Sequence, residues 1–257
     1  MKNKLLGAAL MKKQFIILLM TACISVAYAY NQEQSDELAY LPVPDGGIKI
    51  IPSAQMHKDV AEINSTIALQ DEYKKNGVVK RTSEDAVQLL SINKHHLMTH
   101  EKATYLDSSN LHDSHVKQKI SQIKLAFNYH PISFLPESAI VGFAVADTWV
   151  KEPDEGWTGI VEIFTDPKLG VCDYKKSHTK LNHASVHLAK ESVSYVVHKK
   201  PTIDLVEGDD QSGYSYKVDW FDADYYHTLT CALKIYEPNE LKGVIALAKR
   251  IDTDQTT

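Results

Sequence analysis

The sequence predicts an α+β fold, with an N-terminal helical segment, a mainly antiparallel β-sheet after it and a C-terminal helix. From residue 53 to 127, Pro and Gly are rare and Ala, Leu, Lys, Glu and Gln are frequent, as in helices. From residue 131 onward, turn residues separate short runs rich in Val, Tyr, Ile and Thr. The run YSYKVDWF at 214–221 alternates apolar and polar residues, which indicates a strand with one buried face.

The first 29 residues have the three parts of a secretory signal peptide. The lysines at 12–13 are followed by an apolar core, FIILLMTA at 15–22, and then by Ala27 and Ala29, the small residues that signal peptidase recognises. The apolar core is shorter than the about 20 residues that a membrane-spanning helix needs. We therefore expect cleavage after Ala29 and export of the remaining chain to the periplasm or out of the cell.

A lipid anchor at Cys23 is the alternative interpretation of this segment. The sequence MTAC at 20–23 is a poor lipobox, because Met stands where Leu is usual. An apolar stretch also follows Cys23, where a lipoprotein usually has a polar tether. The signal-peptide interpretation is the better one, and it removes Cys23 from the mature chain.

Cleavage changes both the charge and the number of thiols. The mature chain keeps 24 of the 28 basic residues against 33 acidic ones, a net charge of −9. Nucleic-acid binding needs a basic surface, so we expect no nucleic-acid partner, and no later run is apolar enough for a membrane span. Cys172 and Cys231 remain, and an even number of cysteines in an oxidising compartment predicts a disulfide between them.

The mature chain divides into an arm, a helical region and a sheet region. Residues 30–52 contain LPVPDGGIKIIP, which predicts an extended arm with a turn. Residues 53–130 form the helical region, and residues 131–257 form the antiparallel sheet region with the terminal helix. We expect the last two regions to share one core and to form a single domain.

Three helices are predicted in the helical region. The first runs from about 54 to 75 and stops at Asn76–Gly77, because Gly favours the left-handed cap. Ser83 is expected to cap the second, which carries acidic residues in its first turn and reaches about Tyr105. A third helix would begin at 107–110, and its apolar stripe would be Val116, Ile120, Ile123 and Phe127.

In the sheet region, residues 214–221 and 225–235 are predicted to pair as a hairpin through the short DAD connection. The second strand would place Tyr225, Leu229, Cys231, Leu233 and Ile235 on one face. Further strands are expected at 159–164, 193–197 and 202–206. Residues 139–146 are apolar on both faces, which predicts a central strand. The last helix follows Asn239, and its inner side would carry Leu241, Val244, Ile245 and Ala248.

His96 and His100 are the best candidates for a metal site. Their spacing of four on a helix lets two imidazoles share one zinc ion. On a helical wheel, however, both lie on the flank of the apolar face, and the zinc-protease motif needs Glu where Leu97 stands. Surface histidines are the simpler interpretation. We predict no cofactor, with zinc at His96 and His100 as the alternative.

Other candidate sites are weaker. His183 and His187 would be about 13 Å apart on a strand, too far to share one ion, whereas on a helix they could share one. The acidic runs at 152–155, 207–210 and 219–224 offer oxygen ligands for calcium, but turn chemistry and solubility explain them as well. Sequence motifs for a serine-nucleophile elbow, a phosphate-binding loop and a dinucleotide-binding loop are absent.

The sequence therefore favours an exported protein that acts by recognition of an unknown macromolecular partner or small ligand. This class needs no local catalytic motif. The alternative is a metal-assisted hydrolase with a dispersed histidine site, of which His96 and His100 would form part. An enzyme is the less favoured of the two.

Overall fold

The computed structural model describes residues 47–53, 61–99, 105–106, 115–116, 120 and 123–256. The helices in these ranges are α1 (Ala61–Asn76), α2 (Glu84–Thr99) and α3 (Glu240–Thr256). The strands are β1 (Gly47–Ile51), β2 (Tyr105–Leu106), β3 (His115–Val116), β4 (Ile140–Val150), β5 (Gly156–Asp166), β6 (Gly170–His178), β7 (Ser185–Ala189), β8 (Ser194–Val197), β9 (Lys200–Asp209), β10 (Gly213–Phe221) and β11 (Tyr225–Leu233). The predicted α+β class is confirmed.

A seven-stranded antiparallel sheet forms the centre of the molecule, in the order β4-β5-β6-β11-β10-β9-β8. Its neighbouring strands are connected by hairpins except at β6–β11, where the chain leaves the sheet centre after β6 and returns as β11 after four intervening strands. Two small pairs accompany the sheet: β1 runs parallel to β7, and β2 runs antiparallel to β3.

Each face of the large sheet is covered by different elements. We call one the α3 face, because its core packs against Val244, Ala248 and Ile251 of α3. The opposite side, the α2 face, packs against Ala86 and Leu89 of α2. The β1–β7 pair covers another part of the sheet with a smaller apolar cluster. Alternating side chains along each strand therefore enter different environments.

The predicted helix caps are confirmed at α1 and α2. Helix α1 ends at Asn76, and Gly77 adopts a φ of 75°, the left-handed cap conformation. The Ser83 hydroxyl accepts a hydrogen bond from the Ala86 amide at 3.2 Å, as an N-cap does. One boundary differs, because Tyr105 belongs to β2 rather than to α2, whereas the predicted start of α1 near residue 54 lies outside the described residues.

The prediction of a third helix through Val116 and Phe127 is wrong. Val116 pairs with Tyr105 across the antiparallel β2–β3 pair, and the predicted helix start at 107–110 lies outside the described residues. Strand pairing with a residue elsewhere in the chain, which helical spacing does not encode, therefore outweighed the local pattern of apolar residues. Further along, Ala126 donates its amide proton to the Trp157 carbonyl, which holds this segment extended beside β5.

The strand predictions are confirmed with two corrections. The DAD connection joins β10 and β11, and the alternating side chains of β10 have the predicted order. Residues 139–146 belong to β4, an edge strand of the large sheet, not a central one. Val141 and Phe143 are nevertheless buried, since this edge strand is covered on both faces. Ile235 lies beyond β11 and is exposed.

The predicted disulfide is confirmed between Cys172 of β6 and Cys231 of β11. These residues are directly opposite each other in the register of the two strands, with their Cα atoms 4.0 Å apart. Both side chains are buried in the α3-face core. The bridge therefore joins the two strands that no short hairpin connects.

Candidate ligand-binding site

The predicted zinc ligands stay untested. His96 belongs to α2, but its side chain and the whole of His100 lie outside the described part of the chain. Within the described ranges, no group of three or more His, Cys, Asp or Glu side chains is placed to hold a metal ion. His183 lies in a turn with a φ of 54° and His187 lies on β7, so they are not successive residues of one helix.

Two carboxylates on the α2 face also fail as a shared cation site. Asp173 of β6 and Asp219 of β10 each have a buried oxygen without a hydrogen-bond partner among the described residues. Strand β11 lies between them, so the two Cα atoms are about 10 Å or more apart. Their side chains stand perpendicular to the sheet and do not converge, whereas a bound calcium ion needs oxygens at about 2.4 Å.

A polar network fills one end of the α3 face. The Tyr174 hydroxyl and His227 Nδ1 are 2.8 Å apart, and His227 Nε2 lies 3.2 Å from Asp222 Oδ2. Burial raises the pKa of Tyr174 well above its usual range and lowers that of His227. The phenol therefore donates to a neutral imidazole, which donates to Asp222. Both imidazole nitrogens are occupied, so His227 has no lone pair left for a ligand.

The same network fixes the end of α3. Lys200 Nζ lies 2.7 Å from Asp252 Oδ1 and 3.4 Å from Asp222 Oδ2. Asp252 also accepts the Trp220 indole proton at 2.9 Å and lies 2.9 Å from His198 Nδ1. Burial alone would raise the pKa of Asp252, but the hydrogen bonds from Lys200 and His198 hold it below its usual value. These groups satisfy one another, which indicates a structural role.

Lys176 lies beside this network and is paired differently. It is 6% exposed, and its Nζ contacts the Gln255 amide oxygen at 3.3 Å and the face of the Tyr225 ring at 4.7 Å from the centroid. Its ammonium group makes no ion pair with a carboxylate of the described residues. Burial lowers the pKa of Lys176, although the more distant Asp222 charge opposes this.

Tyr225, whose ring contacts Lys176, forms a cluster with two other partly exposed aromatic residues, Phe127 and His178. The ring centroids of His178 and Tyr225 are 4.7 Å apart, and that of Phe127 is 5.8 Å from Tyr225 and 6.1 Å from His178. The rings are tilted rather than stacked on one another. We call these three residues, together with Lys176 and Gln255, the Lys176 patch.

The Lys176 patch has hydrogen-bond donors without acceptors among the described residues. His178 Nδ1 accepts the Leu181 amide proton at 3.4 Å, and burial lowers the pKa of His178, so the neutral ring carries its proton on Nε2. Burial raises the pKa of Tyr225, which keeps its hydroxyl protonated. Neither this Nε2–H nor this hydroxyl has a partner in the described part. With the ammonium of Lys176, the patch offers donors to a ligand.

Sequence reasoning missed this patch. The residues YKKSH look like a solvated charged stretch, although strand alternation puts Lys176 on the same face as buried Tyr174. That alternation was the available signal. Phe127 could not be found in the same way, because it was assigned to a helix.

Comparisons with known proteins do not extend these observations. No family model, curated protein or solved structure matches the chain. No helix in the described ranges is long and apolar enough to cross a membrane.

Proposed function

We propose that this chain is an exported protein that acts by recognition, and that it binds a small ligand rich in hydrogen-bond acceptors at the Lys176 patch. The single observation that carries the proposal is the cluster of donors on Lys176, His178 and Tyr225: the ammonium of Lys176 has only the Gln255 amide oxygen as an acceptor, and the other two donors have none among the described residues. Lys176 is buried without a carboxylate partner among the described residues, and a ligand with several acceptors would pair with it and with the two partly exposed donors at once.

Export is supported by the signal-peptide pattern and by the Cys172–Cys231 bridge, which is typical of oxidising compartments. The mature form should begin at Tyr30, as read by N-terminal sequencing of the exported protein. A blocked, lipid-modified Cys23 would instead make the protein a tethered lipoprotein.

Binding is tested by incubating the mature protein with a small-molecule extract of the exporting cells, followed by gel filtration and mass spectrometry of the retained compounds. We expect retention by the wild type and by Lys175→Met, and its loss in Lys176→Met. Lys175 is a matched control because it is the adjacent lysine on the opposite face and is ion-paired with Asp147. Equal retention by both variants, or none by the wild type, would contradict the proposal.

A further inference from the structure

The Lys176 patch combines a cation with aromatic rings, and this combination narrows the class of ligand. A buried charge is costly unless an opposite charge compensates it. The nearest candidates within the described residues are already engaged, since Asp222 contacts His227 and Lys200, and Asp252 contacts Lys200 and Trp220. A counter-charge for Lys176 is therefore missing among the described residues, and a bound anion would supply it.

The other donors reinforce this requirement. Tyr225 and His178 present a hydroxyl and an Nε2–H beside the lysine, and neither donates to a described residue. Carboxylates and phosphates accept several hydrogen bonds at once, and bonds to an ionised acceptor are stronger than neutral ones. A neutral ligand with a single acceptor would leave at least one of these donors unpaired.

The aromatic residues of the patch indicate a second feature of the ligand, a planar ring. Phe127, His178 and Tyr225 are partly exposed and tilt towards one another at 56–69°. Tilted rings of this kind accept another planar ring in an edge-to-face or offset arrangement. Such a ring would cover the apolar surface of the patch while its substituent reaches the donors.

We propose, resting on the function proposed above, that the ligand is a small anion attached to a planar ring. Its ring packs against Phe127 and Tyr225, and its carboxylate or phosphate contacts Lys176, His178 Nε2–H and the Tyr225 hydroxyl. The assignment names a chemical class and a set of contacts for a patch that sequence motifs did not reveal.

Four probe compounds separate the contribution of the planar ring to binding from that of the negative charge. Benzoate has both features, acetate has the charge alone, benzyl alcohol has the ring alone, and cyclohexanecarboxylate has the charge on a ring that is not planar. Binding is measured by chemical-shift titration of the mature protein. We expect benzoate to bind about tenfold more tightly than each of the others, as the loss of one good contact predicts. Phenyl phosphate distinguishes a phosphate from a carboxylate preference.

Variants locate the site. Lys176→Met should abolish the preference for benzoate over benzyl alcohol, and Tyr225→Leu should abolish the preference for benzoate over cyclohexanecarboxylate. Lys175→Met should retain both. If benzyl alcohol binds as tightly as benzoate, the proposed requirement for a negative charge is wrong. If acetate binds as tightly as benzoate, the proposed requirement for a ring is wrong. If none of the probes binds while the extract still yields a Lys176-dependent compound, the ligand class fails but the proposed function stands. If no probe binds and the extract yields no Lys176-dependent compound, both the ligand class and the proposed function fail.

Discussion

Lys175 and Lys176 are adjacent on β6 and have opposite electrostatic environments. Lys175 Nζ lies 2.6 Å from Asp147 Oδ1 on the α2 face, whereas Lys176 points to the α3 face and contacts an amide oxygen and a tyrosine ring. Strand alternation therefore places two adjacent lysines on opposite faces, one in an ion pair and the other without an ion pair to any described residue. This difference underlies both the candidate site and its internal control.

The first prediction concerns the stability of lysine variants. Replacing Lys176 with Met should leave the free energy of unfolding unchanged or raise it by up to about 1 kcal/mol, because an apolar side chain removes the cost of a buried charge without a counter-ion. Lys175→Met should lower it by up to about 1 kcal/mol, since the Asp147 carboxylate loses its partner. Urea denaturation measures both. A large destabilisation by Lys176→Met would mean that Lys176 is a structural residue and not a binding one.

The second prediction concerns pH. Burial, with the Asp85 charge, raises the pKa of Asp173 to about 7 in the folded protein, against about 3.9 in an unfolded chain. The folded state therefore retains a proton that the unfolded state releases, so the free energy of unfolding falls as the pH rises from about 4 to 7.

Asp173→Asn removes this titration. Between pH 4 and 7 the free energy of unfolding of the wild type should fall by on the order of 1–3 kcal/mol more than that of the variant, as measured by denaturation at several pH values. Burial would raise the pKa of Asp222, but the His227 hydrogen bond and nearby charges outweigh burial and hold it below its usual value. Asp222 therefore changes the pH dependence of stability only at lower pH. Parallel pH profiles of wild type and variant would show that Asp173 ionises normally.

The third prediction concerns the attachment of α3. Asp252→Ala should destabilise the protein by about 3 kcal/mol, because Lys200 and the Trp220 indole both lose their acceptor in a buried position. Asp252→Asn keeps an acceptor oxygen for Lys200 and for the Trp220 indole, so it should lower the free energy of unfolding by less. Thermal or urea unfolding compares them. If the two variants lose equal stability, the destabilisation comes from the loss of the carboxylate charge alone and not from the loss of the hydrogen bonds.

The fourth prediction concerns the disulfide. Exchanging both Cys172 and Cys231 for Ala should lower the free energy of unfolding by up to about 4 kcal/mol, since the bridge closes a loop of about 60 residues in the unfolded chain. Intact mass after alkylation under denaturing, non-reducing conditions reports the bridge directly. Two added alkyl groups without a reductant would refute it.

The sequence predicted elements whose signals are local. Ser83 and Gly77 fix helix ends through their own backbone and side-chain chemistry, and the alternation around Val218 follows from the pleat of one strand. The errors came from non-local causes. Val116 was assigned to a helix because its pairing with Tyr105 is not encoded in spacing, and β4 was placed centrally because tertiary cover buries an edge strand.

The candidate site depends on contacts that spacing does not encode. Gln255 at the end of α3 meets Lys176 of β6, and Phe127 approaches Tyr225 from a segment nearly 100 residues earlier in the chain. These residues are brought together by the register of β6 with β11, by the packing of α3 and by the backbone hydrogen bonds that hold the segment of Phe127 beside β5.

The Cys172–Cys231 bridge also determines how the molecule would respond to mechanical force. When the two chain ends are pulled apart, tension passes through the covalent bond and bypasses the segment between the two cysteines, which are separated by 59 positions in the sequence and enclose β7 to β10. Those strands carry no load, and about 200 Å of extended chain stays hidden. Under reducing conditions the same pull would release that length, so a stretching experiment would read the redox state of the protein as a difference in contour length.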